Sequence, residues 1–197
     1  MNRNGGATIQ SRLSDVFGKS IKLERAIPEY EVRFDEFGRG RVHDIGIFGI
    51  TEAGKSVFIG VEAKVDETFG ASVHDAYLRA KVKQITGVST NAPQRIEKLL
   101  VMHFTKPDIS MFDIRYQLLY STAGTLAAGA DISVLYVIVF KTVLYNEAIG
   151  EENFIDYIQF MSKLGARPVE LSNSEVHCHE LSLQGKKLIC LHECIEF

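Results

Sequence analysis

The chain has 197 residues, is 46% hydrophobic and carries a net charge of −3, which is ample for one domain with a real core and argues against a broad histone-like cationic surface, though not against a local patch. Its three cysteines, Cys178, Cys190 and Cys194, all lie in the last twenty residues, an odd number that argues against a disulfide framework and for a reducing, cytoplasmic setting. Met1 to Gln10 hold no apolar leader, and the longest apolar run, Ile132 to Phe140, is too short to span a bilayer, so no membrane partner is expected.

In chain order, Ile9, Leu13, Val16 and Phe17 have helical spacing, which Gly18 stops. Lys22 to Ala26 read as a last turn before Pro28. Residues 29–37 read as a strand that alternates Tyr30, Val32 and Phe34 with Glu29, Glu31 and Arg33. Gly38-Arg39-Gly40-Arg41 is a loop whose two arginines have the fork geometry that holds phosphate, and a solvated turn explains them equally well.

Two apolar runs follow, 43–51 and 55–65, joined by Thr51-Glu52-Ala53-Gly54-Lys55, which is a turn signal; the pattern predicts an antiparallel hairpin. Charged residues sit inside it. Glu62 and Lys64 end a strand that is otherwise fit for burial, and residues two apart share a face. With Asp44 beside Glu62 on the neighbouring strand, the two carboxylates make a hard-oxygen site for Mg²⁺ or Mn²⁺, completed by the strand carbonyl of Ala63, and Lys64 steadies the attacking water or the developing charge. Two such acids repel when no cation separates them, so at least one pKa is expected to rise.

Beyond a turn at 66–70, Ser72 caps a predicted helix to about Thr86 with Val73, Ala76, Tyr77, Ala80 and Ile85 inward. Its cations Arg79, Lys81 and Lys83 begin a local positive excess that is the candidate nucleic-acid face, with a solubilising helix surface as the competing account. A second helix follows Pro93 with Ile96, Leu99 and Leu100 as its apolar positions. A third is predicted over 112–128, opened by Arg115, Tyr116 and Gln117, of which Arg115 and Gln117 are additional site candidates, with structural capping at a buried helix start as the competing account. Ile132 to Phe140 is a buried central strand, and 151–164 a further helix. Residues 175–183 and 186–195 flank Gln184-Gly185, predicting a hairpin about 172–197 with His177 opposite His192 and His179 opposite Cys190. Its inward residues are expected to be Val176, Cys178, Ile189 and Leu191, with the three histidines on a partly open face. Those are zinc-type ligands without a familiar zinc spacing.

Asp44 followed by Glu62-Ala63-Lys64 at the end of an apolar strand resembles the PD-(D/E)XK nuclease superfamily, whose restriction-endonuclease-like core is a mixed sheet flanked by helices. Val61 to Glu67, then Phe69-Gly70 and Arg115 to Leu119, resemble an uncharacterised bacterial branch of it. The resemblance covers about residues 25–165; Ala63 stands where that branch has Gly, and His43 where a small amide is expected. It implies a restriction-endonuclease-like α/β fold and an Mg²⁺-dependent nuclease (metal on Asp44, Glu62 and Ala63; Lys64 assisting; Glu31 a further acid, with an exposed strand glutamate as the competing account), while length and pattern read as a single domain with the C-terminal β-hairpin appended. The partner implied is nucleic acid, DNA foremost, and a homodimer is compatible with it. The superfamily also contains members without activity, so a catalytically silent nucleic-acid-binding or protein-binding domain is the alternative, and a zinc-binding module in the C-terminal hairpin is the second.

Overall fold

A computed structural model describes residues 5–17, 21–173 and 175–196. Its centre is a seven-stranded mixed sheet in the order β1-β2-β3-β4-β7-β6-β5. Strands β1 (Ile21–Val32), β2 (Arg41–Thr51) and β3 (Ser56–Lys64) form an antiparallel meander, and β4 (Ile132–Lys141) lies parallel to β3. Between β3 and β4 come α2 (Val73–Ile85), α3 (Ala92–His103), a 3-10 turn (Ile109–Asp113) and α4 (Tyr116–Ala127). The other elements are α1 (Gly5–Phe17), α5 (Glu147–Lys163), β5 (Arg167–Val169), β6 (Val176–Leu183) and β7 (Lys186–Glu196). No described helix is long and apolar enough to cross a membrane.

Alternation along the strands makes two cores. On one face Leu135 and Val137 of β4 meet Val73, Ile96, Leu99, Leu118 and Phe160 from α2 to α5; on the other Val134 and Tyr136 join Ile47, Ile59, Val61 and Leu13 of α1. The predicted hairpin at 43–65 is present, with Ile45 opposite Val61 and Ile50 opposite Ser56.

Three readings of the sequence are corrected. Strand β1 runs from Ile21, so Lys22 to Ala26 are strand rather than helix; Pro28 is accommodated because β1 is an edge strand with β2 as its single neighbour. The C-terminal hairpin is no appendage, since β7 pairs in parallel with β4 across ten register positions and joins the sheet. Ile85 is 84% exposed rather than inward, because α2 turns Val73 and Ala80 to the core and leaves Leu78, Val82 and Ile85 on the far side. The helix stop assigned to Gly18 lies outside the described residues.

Candidate active site at the end of the central hairpin

Glu62 leaves β3 on the face covered by α4, in register with Val137 of β4, and is fully buried. An ionised carboxylate has about four acceptor positions, and a buried one needs them filled. Arg41, the first residue of β2, supplies two donors: its Nε lies 3.1 Å from Oε1, and its Nη2 is bonded to Oε2. His43 Nδ1 lies 2.9 Å from Oε1, and Gln117 Nε2, from the first turn of α4, lies 3.1 Å from Oε2. Burial pushes the Glu62 carboxyl upward, but the His43 hydrogen bond and the Arg41 charge outweigh it and hold the group below its usual range. Since that carboxylate only accepts, His43 donates through Nδ1, and its buried Nε2 is left without a partner.

Lys64, two residues on, is 4% exposed and shares the face. Its Nζ donates to Gln117 Oε1 and to Glu67 Oε1, each at 3.1 Å, and lies 5.4 Å from the Phe69 ring centroid. Gln117 therefore bridges Glu62 and Lys64, with its two amide atoms facing opposite charges.

Two glycines make room for these side chains. A Cβ on Gly60 would come within 2.6 Å of the His43 ring, and one on Gly124 of α4 within 2.6 Å of Arg41 Cβ. The Arg41 guanidinium also lies 6.0 Å from the ring of Tyr120, whose hydroxyl donates to the Gly40 carbonyl at 3.0 Å.

Asp44 takes a different course. Regular β2–β3 pairing ends at Ile45 and Val61; beyond it the His43 imidazole turns to Glu62, while the exposed Asp44 carboxylate accepts the Ala63 N–H at 2.7 Å. Asp44 thus touches the backbone of the Glu-Ala-Lys element, but the two carboxylates share no partner among the described residues. The expected upward pKa shift from their repulsion is not found at Glu62, where cationic and neutral donors take the place of a second acid.

Of the additional candidates, Gln117 reaches the centre and two do not. Glu31 accepts the Gly40 N–H at 2.8 Å and sits 3.5 Å from Arg39, fastening the loop between β1 and β2. Arg115 donates to Asp156 at 2.8 Å, to Glu152 at 2.7 Å and to the Gly70 carbonyl at 2.8 Å, tying the start of α4 to α5. Arg39 is largely exposed, whereas Arg41 is spent on Glu62. Arg79 and Lys83 are exposed on α2, and Lys81 lies 3.8 Å from Glu97.

Sequence reasoning missed the roles of Arg41 and His43 at Glu62. The available signal was their i, i+2 spacing, which puts both on one face of β2. It also missed the opposite face, where Tyr136 donates to buried Glu193 and Arg12 Nε lies 2.8 Å from the same carboxylate. At the C-terminal hairpin the predicted register holds, His177 opposite His192 and His179 opposite Cys190. Val176, Cys178, Ile189 and Leu191 are buried as expected, but so is His192, beneath Phe154 and Tyr157 at ring distances of 5.4 and 5.2 Å. Among the described residues no group of three or more His, Cys, Asp or Glu is placed to hold a metal ion.

A family model described as a domain of unknown function (DUF6946) matches residues 2–192, and the chain belongs to that family. No curated protein and no solved structure matches it.

Proposed function

We propose that this member of the DUF6946 family is a PD-(D/E)XK-type protein that engages nucleic-acid phosphodiesters, DNA foremost, at the end of the β2–β3 hairpin, with Asp44, Glu62 and Lys64 as its working residues and Mg²⁺- or Mn²⁺-dependent hydrolysis as the activity the motif implies. One observation carries this reading. A strand ends in a buried acid and a buried lysine on one face, bridged by Gln117, while an acid from the adjacent strand is bonded to the residue between them. Burying two opposite charges and wiring them through a shared amide costs desolvation that an apolar pair would avoid, and such strain concentrates where chemistry is done. A mixed sheet flanked by helices, with the acid strand beside the Glu-x-Lys strand, also supports a restriction-endonuclease-like core.

The residues do not fit a divalent ion as they stand. Arg41, His43 and Gln117 fill the acceptor positions of Glu62, and Asp44 faces the Ala63 amide. Lys64 is held with its ammonium poised beside two acceptors, the placement of a group that stabilises a developing negative charge.

The same filled carboxylate favours a second reading, a catalytically silent nucleic-acid-binding domain. Single- and double-stranded DNA and RNA incubated with the protein and Mg²⁺ or Mn²⁺ separate the two. Cleavage that disappears in Lys64→Ala and Asp44→Asn supports the hydrolase, and binding without cleavage supports the silent domain. Neither binding nor cleavage sinks both.

A further inference from the structure

Two-carboxylate metal centres need acceptor oxygens that face an open position. Glu62 has none to spare. Its Oε1 is engaged by Arg41 Nε and His43 Nδ1, and its Oε2 by Arg41 Nη2 and Gln117 Nε2. A planar guanidinium in a bidentate fork is the strongest of these donors, and it brings the positive charge that a metal would otherwise bring.

The seat of Arg41 is built into the surrounding elements. Gly124 clears the space its stem occupies, Tyr120 lies beside its guanidinium, and the Tyr120 hydroxyl fixes the Gly40 carbonyl just before it in the chain. The side chain is 16% exposed, so it sits at the rim of the site with a way out to solvent, whereas His43 is fully enclosed.

We propose that Arg41 is the resident cation of this centre: it neutralises Glu62 in place of a divalent ion and competes with that ion for the carboxylate. The nuclease-like reading determines only which ion to test. A metal and the guanidinium compete for the same carboxylate, so removing the guanidinium must raise metal affinity by the strength of the lost contact. Glu62 is the carboxylate that the loss of Arg41 would open, whereas Asp44, exposed and bonded to the Ala63 N–H, lies on the other side of the strand end.

Manganese titrations of the full chain, read by the loss of the free Mn²⁺ electron paramagnetic signal, test the idea. Arg41→Met is expected to bind one equivalent of Mn²⁺ roughly tenfold or more tighter than the wild type. Adding Glu62→Gln is expected to abolish the gain. Gly124→Ala, which crowds the Arg41 stem without removing its charge, provides a second, independent route and is expected to raise Mn²⁺ affinity as well. Equal affinity in the wild type and both single variants overturns the proposal, and so does the absence of binding in all three. Cleavage of DNA or RNA by the wild type, followed in parallel, reports on the hydrolase reading separately: cleavage without any gain in the variants leaves that reading standing while the role of Arg41 falls.

Discussion

His43 Nδ1 lies 2.9 Å from Glu62 Oε1, and both side chains are sealed from water. In such a pair the charge survives because every acceptor is met, and the donors survive because the charge is there. Glu62→Gln keeps the shape and breaks this reciprocity. One amide atom becomes a donor facing Arg41, His43 or Gln117, and the guanidinium is left buried against a neutral group. The variant is expected to lose about 3 kcal/mol of stability, the range for breaking one member of a buried ion pair. Urea denaturation followed by circular dichroism measures it, and a loss within a few tenths of a kcal/mol would show Glu62 to be as weakly coupled as a surface glutamate.

Gly124 gives a test with a distinctive sign. In an ordinary helix Gly→Ala stabilises by about 1 kcal/mol. Here the added methyl lies 2.6 Å from Arg41 Cβ and 3.1 Å from His43 Nε2. Overpacking of this kind typically costs about 1–3 kcal/mol, so Gly124→Ala is expected to be net destabilising. A variant that melts at higher temperature than the wild type would mean that Arg41 does not occupy the position described.

Legibility of the fold followed the strength of local signals. The C-terminal register could be read because Gln184 and Gly185 both adopt positive φ, 54° and 73°, the two-residue turn that their sequence favours. The course of β1 could not, because Pro28 is a breaker everywhere except on an edge, and which strand is an edge is a property of the whole sheet. The place of β7 beside β4 is likewise non-local, as a strand shows its alternation but not its neighbours. At the site, Glu62 and Lys64 were legible from their period of two, and Gln117 from its position at a helix start. The bond from Arg41 to Glu62 was not legible, because a cation in a glycine loop gives no sign of an acid twenty-one residues away. Asp44 was misplaced by extending regular pairing past Ile45, where it ends.

Two of the buried histidines contribute to the acid response of the fold. Burial lowers His103 and His192 to about 4, and both have an Nε2 without a partner. The unfolded groups take up protons near 6.5 and the folded ones only near 4, so between these values the unfolded state binds more protons and stability falls as the pH falls. Each histidine contributes about 3 kcal/mol to this loss when the window is crossed completely. Unfolding free energies at pH 7 and pH 5 are expected to differ markedly in the wild type and less in His103→Leu. Equal values at the two pH conditions would show that these rings are accessible to protonation in the native state.

The cations of α2 and Arg115 are expected to behave differently toward nucleic acid, because the structure gives them different employment. Arg79 and Lys83 are exposed with no ion-pair partner among the described residues, whereas Arg115 is committed to Asp156, Glu152 and the Gly70 carbonyl. A free surface cation that meets a phosphate releases about 0.9 counterions on B-DNA, so the dependence of affinity on salt counts such contacts. If α2 faces the nucleic acid, Arg79→Ala with Lys83→Ala should flatten the log affinity against log salt slope by about 2 and leave the melting temperature near that of the wild type. Arg115→Ala should do the reverse. It strips the partner from Asp156, whose carboxyl burial already pushes upward, and so lowers stability while the salt slope stays unchanged. Fluorescence anisotropy with a labelled duplex at several salt concentrations, beside thermal melts of the same proteins, reads both quantities. An unchanged slope in the α2 double variant would remove that helix from the nucleic-acid face and leave Arg79 and Lys83 as solvating charges beside the exposed Leu78, Val82 and Ile85.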